Sequence, residues 1–289
     1  MNLYRIIICI SLFNSTCLIA QDVIHIKNEY NGEIKSVWII EFEALEIKDS
    51  IRRGNILNAL CRNVEKNGNI INFYDKSGLI TESHWLASDS TLCSKNIYTY
   101  NKKNQLEKRG SYSSDGGNRG YHLYQYGKSN LTIQDDFFQG NDVLFCSKKF
   151  KYDKRKNVIE TLINYPSEQS SNSRLAYIYD AASNLAEYRQ YNWQDSLSFH
   201  LTYEYDQNGN KVKSNFYDET GKKTSTHTYS YDDDGNLISQ IYFNAEDKPV
   251  TMTNYRSTYL YDANNNWCLK IEYVNDKPTK IIARNISYY

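Results

Sequence analysis

Apolar and polar residues alternate along most of this chain with a period of two, in runs of about eight or nine residues separated by polar turn signals. In YEYDQNGN, Tyr203 and Tyr205 fall on one face of an extended segment, as do Tyr229 and Tyr231, and Tyr177 and Tyr179. Aligning the aromatic residue that precedes each turn gives Tyr74, Tyr100, Tyr126, Tyr152, Tyr179, Tyr205, Tyr231 and Tyr261, with separations of 26, 26, 26, 27, 26, 26 and 30 residues. A second aromatic follows about halfway, at Tyr112, Phe138, Tyr165, Tyr191, Tyr217, Phe243 and Tyr273. Each unit is therefore two strands long, because thirteen residues hold one strand and a tight turn. The pattern predicts an all-β protein, an antiparallel meander of two-strand repeats forming an extended or coiled sheet.

The turn chemistry supports that reading. Asp206 and Asp232 can accept hydrogen bonds from backbone N–H groups two residues on, and Gly209 and Gly235 can take positive φ without a Cβ penalty. Asn104, Asn130 and Asn265 replace glycine in other units, asparagine being the next most tolerant residue in the left-handed region. Upstream, Ile34 to Ile47 alternates as a strand, while Arg52 to Cys61 carries a competing helical pattern. The chain divides into residues 1–20 as a leader, 21–61 as an N-terminal capping β segment and 62–289 as the repeat domain. The last stretch, Pro278 to Tyr289, is expected to close the far end or add a final strand.

The segments YEYDQNGN at Tyr203 and YSYDDDGN at Tyr229 resemble the tyrosine-aspartate (YD) repeats of the bacterial Rhs family. The resemblance spans roughly Tyr74 to Tyr289; the other units keep the aromatic and the turn but lose the glycine, the aspartate or both. It implies a short, divergent relative built on an antiparallel sheet. In that family long arrays wind into a shell around cargo, commonly a C-terminal toxin. This chain has too few repeats for a full shell and lacks a recognisable self-cleaving core, so the cargo function is not carried over.

Composition narrows the setting. The 27 tyrosines and only 3 prolines among 289 residues suit half-exposed strands, tyrosine joining apolar area to a polar rim. Lys plus Arg and Asp plus Glu number 34 each, so net charge gives no reason to expect nucleic acid as a partner. Basic clusters at Lys102, Lys103, Lys108 and Arg109, and again from Lys148 to Lys156, are local. The opening MNLYRIIICISLFNSTCLIAQ has a single basic residue before an apolar run, the form of a secretory leader ending at Ala20. No transmembrane span is expected after its removal, which implies a secreted, periplasmic or outer-surface location. Cys61, Cys93, Cys146 and Cys268 would remain as disulfide candidates, with three possible full pairings.

Candidate chemistry is sparse. The five histidines form no HxH or HExxH arrangement, and His122 and His227 occupy equivalent repeat positions. DDDGN at Asp232 lacks the ligand spacing of an EF-hand calcium loop. There is no GxSxG context for a serine nucleophile and no phosphate-binding glycine loop. No catalytic residue, metal or cofactor is therefore expected. The remaining candidate is an aromatic surface built on Tyr203, Tyr205, Tyr229 and Tyr231, held by turn residues Asp206, Gly209, Asp232 and Gly235. The expected function is a noncatalytic exported binding or structural module, with a glycan or an extracellular protein as partner. The alternative is a periplasmic or extracellular glycan-processing enzyme.

Overall fold

The computed structural model describes residues 30–47, 50–57 and 69–289. The leader and Cys61 lie outside the described residues. Nineteen strands are present among them: β1 (Ile34–Ile47), β2 (Ser50–Ile56), then β3 (Asn69–Tyr74) onward in chain order to β19 (Lys277–Tyr288). From β3 to β19 every strand pairs antiparallel with the next, the pattern two-residue alternation and short turns dictate.

The sheet closes, which corrects the expectation of an extended or coiled array. β1 pairs with β19 through Ile34 to Glu43 and, on its other side, with β3 through Ser36 to Ile40. The result is a barrel of eighteen strands, with β2 folded back as a hairpin on the end of β1. Ser50–Ile56 is thus a strand where the sequence also allowed a helix. Closure removes the two free edges that an open meander would expose.

A register shift recurs at the anchor aromatics, including Tyr74, Tyr100, Tyr126, Tyr179, Tyr205, Tyr231 and Tyr261. Such bulges bend a strand and increase its right-handed twist, and their regular repetition supplies the curvature a sheet needs to meet itself. Alternation alone carries no sign of this.

Two apolar clusters brace the wall. One lies at the closing seam, where Tyr30, Ile34, Val37, Tyr74 and Ile80 pack together and Val37 is wholly buried. Asn69, also wholly buried, fastens the same seam: its Oδ1 accepts from Trp38 Nε1 at 2.7 Å and its Nδ2 donates to the Ala87 carbonyl at 2.8 Å. The other cluster joins Leu175, Tyr177, Tyr188, Leu201 and Phe216 on four successive strands, β11 (Ser173–Tyr179), β12 (Leu185–Tyr191), β13 (Leu197–Tyr205) and β14 (Lys211–Tyr217).

Cys93 is disulfide-bonded, whereas Cys146 and Cys268 are free thiols. The expected four-cysteine framework is thereby reduced. Cys146 is buried in the sheet, and Cys268 makes only a long contact to the Leu260 carbonyl, 3.5 Å.

Candidate functional site

The expected turn residues behave as their chemistry requires. Asp206 Oδ1 accepts from the backbone N–H of Asn208 at 2.9 Å and of Asn210 at 2.8 Å, and Oδ2 takes the Asn210 side-chain amide at 3.0 Å. Asp232 repeats this with Asp234 and Asn236. The asparagine side-chain bonds, joined by these backbone N–H groups, hold both carboxyls below the usual carboxylate range. Gly209 and Gly235 sit at φ 82° and 79°, and Asn104, Asn130 and Asn265 at 59°, 63° and 60°. Lys156 and Ser183 occupy the same position at 72° and 69°, two residues that sequence reasoning did not select for it.

The anchor tyrosines form a ladder around one rim. Tyr205 Oη donates to the Leu185 carbonyl and Tyr231 Oη to that of Lys211, both at 2.9 Å, reaching back twenty residues across the sheet. Tyr100, Tyr126, Tyr152 and Tyr179 do the same to Ile80, Leu106, Thr132 and Val158. At the seam Tyr289 Oη reaches the Tyr74 carbonyl, and Tyr288 Oη donates to Asp262 Oδ2 at 2.6 Å. Burial raises the phenols of Tyr100, Tyr126, Tyr152, Tyr205 and Tyr231 above their ordinary range.

Of the two inner tyrosines, Tyr229 Oη lies 3.1 Å from Ser214 Oγ. The Lys211 ammonium sits 5.6 Å from the Tyr203 ring and 4.8 Å from the Tyr229 ring, and burial pushes its pKa down. Tyr203 packs against the second apolar cluster. His122 and His227 occupy matching places: His122 Nδ1 lies 2.7 Å from Asp135 Oδ1, and His227 Nδ1 lies 2.6 Å from Gln240 Nε2.

A cleft opens elsewhere, where the repeat is interrupted. β10 (Val158–Asn164) and β11 are joined by an eight-residue connection, 165–172, holding one 3-10 turn at Gln169–Ser171. This loop and the turn bearing Trp193 border a depression of about 660 Å³. Its floor comes from rows of paired residues across β8 (Thr132–Gln139), β9 (Leu144–Tyr152), β10 and β11. Gln134 pairs with Lys149, Lys149 with Leu162, and Leu162 with Arg174; Asp136 pairs with Ser147, and Ser147 with Asn164. Period-two geometry puts every member of a row on the same side of the wall.

Two features of the cleft are unusual. Trp193 is 50% exposed on its turn, and Asp136 is 8% exposed in the floor. Asp136 Oδ2 accepts from Gln134 Nε2 at 2.7 Å, whereas Oδ1 has no hydrogen-bond partner. A buried carboxylate oxygen without a donor is costly, and Oδ1 has almost no accessible surface, so a molecule in the cleft does not reach it. The other lining carboxylate, Asp195, is already held by Arg174 at 2.6 Å. None of Tyr203, Tyr205, Tyr229 or Tyr231 lines this cleft. Its sequence signals are the single 27-residue interval, the polar run YPSEQSSNS in place of a tight turn, and a tryptophan between turn residues in NWQD.

No family model and no curated protein matches the chain. Among solved structures, a porin-like protein from Bacteroides uniformis ATCC 8492 aligns with TM-score 0.42 and 9% identity, over 89% of this chain and 98% of that one. A porin-like protein from Bacteroides vulgatus ATCC 8482 aligns at 0.35 and 14% identity over the same shares. The TcdB2-TccC3 structure aligns at 0.37 and 12% identity over 70% of this chain, which spans only 14% of that one. These likenesses are weak, and the barrel rests on its own strand pairing.

Proposed function

We propose that this chain is a noncatalytic exported β-barrel acting as a binding module, with the cleft over β8 to β11 as its site. The observation that carries the reading is Trp193, a half-exposed ring bordering a depression of about 660 Å³ lined mostly by polar residues. Export is supported by the leader-like N-terminus and by the disulfide at Cys93, since such bonds persist in oxidising compartments. The lack of a second free carboxylate among the lining residues weighs against the glycosidase alternative, which needs two that cooperate.

The wall itself bears on where the barrel resides. Lys149, Glu160, Glu187 and Lys213 lie mid-strand on one face, and Arg109, Asp135, Lys148 and Lys270 on the face of the inner tyrosines. A membrane-spanning barrel keeps an apolar band on its outer face. With ionised groups on both faces, this barrel is suited to an aqueous setting in the periplasm or outside the cell. The turn geometry at Asp206 and Asp232 also supports kinship with the YD repeats. The proposal moves the binding role from Tyr203, Tyr205, Tyr229 and Tyr231 to the cleft, because the phenols of Tyr205 and Tyr231 are engaged by the barrel itself, Tyr229 Oη meets Ser214 Oγ, and Tyr203 packs against the second apolar cluster.

The test is site-directed photocrosslinking on source cells, with the mature N-terminus read from the same material. A crosslinker at Trp193 should capture one dominant partner, protein or polymer, that a crosslinker at Ser230 does not. Equal capture at both positions, or an unprocessed cytosolic chain, contradicts the proposal.

A further inference from the structure

The two ends of the barrel carry their charge differently. In an antiparallel meander every second turn falls at the same end, so the turns that follow the anchor tyrosines form one rim. Three consecutive turns on it, 101–105, 127–131 and 153–157, hold Lys102, Lys103, Lys128, Lys154, Arg155 and Lys156 against a single carboxylate, Asp153. The next four, 180–184, 206–210, 232–236 and 262–266, hold Asp180, Asp206, Asp232, Asp233, Asp234 and Asp262 and no cation. Glu33 at the seam extends the acidic side, and the turn 75–79 holds one charge of each sign. One arc of the rim is thus basic and the other acidic. We infer that this rim is an interface for a second copy of the chain, with the basic arc of each copy lying on the acidic arc of the other.

The charges of the two arcs are not spent on one another. All the cations of the basic arc are exposed, as are Asp232, Asp233 and Asp234. Among the described residues no ion pair includes any of them, whereas wall residues such as Lys151 with Glu160, and Lys213 with Glu204, are paired. Arg155 alone is partly engaged, its Nη1 donating to the Ala181 carbonyl at 2.5 Å. The turns are also set beforehand: Asp153, Asp180, Asp206, Asp232 and Asp262 each accept a backbone N–H of their own turn. The tyrosine ladder ties the strands beneath them together. A rim fixed in this way loses little backbone freedom on docking.

Symmetry selects the occupant. A two-fold axis in the plane of the rim, running between the arcs, brings each basic arc over the opposite copy's acidic arc and makes both contacts at once, which closes the assembly as a dimer. Head-to-tail stacking lacks this match. At the other end of the barrel every turn from β4 onward holds at least one acidic residue, from Asp89 and Asp115 to Asp247 and Asp276, so the acidic arc would face more acid. An anionic lipid surface would attract the basic arc and repel its neighbour in the same plane. The cleft lies towards the other end, beside 165–172 and the turn bearing Trp193, so rim pairing leaves both clefts open. The inference therefore goes beyond the binding-module reading and does not depend on it.

The experiment is sedimentation of the purified mature protein in about 50 mM and about 500 mM sodium chloride, the higher of which screens exposed charges. A dimer should form at the lower salt, and its dissociation constant should rise about tenfold or more at the higher. A basic-arc variant, Lys102→Glu with Lys103→Glu and Lys154→Glu, should weaken the dimer by about tenfold or more, and so should an acidic-arc variant, Asp233→Lys with Asp234→Lys and Asn264→Lys. Mixed together, the two variants should form a heterodimer tighter than either homodimer, because each supplies the arc that the other has lost. These side chains make no hydrogen bond among the described residues, so both variants should melt with the parent. Glu219→Lys, at the other end, should leave the dimer intact. A parent that stays monomeric at the lower salt, or variants that remain apart when mixed, overturns the rim interface. Loss of association in Glu219→Lys overturns it in favour of head-to-tail stacking. A monomeric parent that pellets with phosphatidylglycerol vesicles overturns it in favour of a lipid surface.

Discussion

Replacing anchor tyrosines by phenylalanine isolates the rim ladder, because it deletes one oxygen from each rung and keeps the ring. In Tyr179→Phe, Tyr205→Phe and Tyr231→Phe combined, three consecutive phenol-to-carbonyl bonds of 2.9 Å are lost, to Val158, Leu185 and Lys211. A hydrogen bond of this kind contributes about 1 kcal/mol net, so the triple variant loses about 3 kcal/mol. For a domain of this size, that corresponds to a fall of roughly 6 to 12 °C in melting temperature. The rungs lie one repeat apart, so the single variants should add to the triple within about 0.5 kcal/mol. The assay is thermal unfolding followed by far-ultraviolet circular dichroism, with urea titration as a second measure. A triple variant melting within a degree or two of the parent refutes the argument that the phenols hold neighbouring strands in place.

The remaining predictions concern turns, thiols and pH. Lys156→Gly and Ser183→Gly, at φ 72° and 69°, should each stabilise by about 0.5 to 1 kcal/mol, and Gly209→Ala should destabilise by a similar amount; urea midpoints decide. In the native protein, Cys268 should react with a thiol reagent well before Cys146, whose thiol burial both shields and pushes up; equal rates would contradict the placement of Cys146. Carboxyls such as Asp180, Asp206 and Asp232, depressed by the asparagine side chains of their own turns, contribute stability that is present above the unfolded value and lost as pH falls through the lower folded values. The raised phenols act in the opposite window: above about pH 10 the unfolded chain releases protons that the folded one keeps, so stability should fall as pH climbs. Melting temperatures that stay level below pH 4 and above pH 10 would contradict both assignments.

Strands and turns were legible because they rest on local rules. Period-two alternation placed Ile34 to Ile47 as a strand, and Asp-x-x-Gly spacing placed the turns at Asp206 and Asp232. Closure was not legible, since it depends on β1 meeting β19 across almost the whole chain, and on bulges that show in register rather than in residue type. The same limit applies to the cleft. Asp136 reads as one acidic residue among 34, and only the packing around it shows that one of its oxygens lacks a donor. Trp193 stood out in sequence only as a tryptophan in a turn. The tyrosines read in sequence as an aromatic stripe, and only the packing shows that the rim phenols of Tyr205 and Tyr231 are bonded to neighbouring carbonyls.

Barrel closure is the central claim, and hydrogen exchange on the mature protein tests it most directly. In the closed ring, β1 has partners on both sides over Ser36 to Ile40, and β19 is paired with both β18 (Trp267–Val274) and β1. Amides of Val37 to Ile40 and Ile281 to Ile286 should therefore exchange as slowly as those of Leu201 to Glu204 in the middle of the wall. An open or coiled sheet would leave alternate amides of β19 unpaired, and rapid exchange at every second residue there would contradict the barrel.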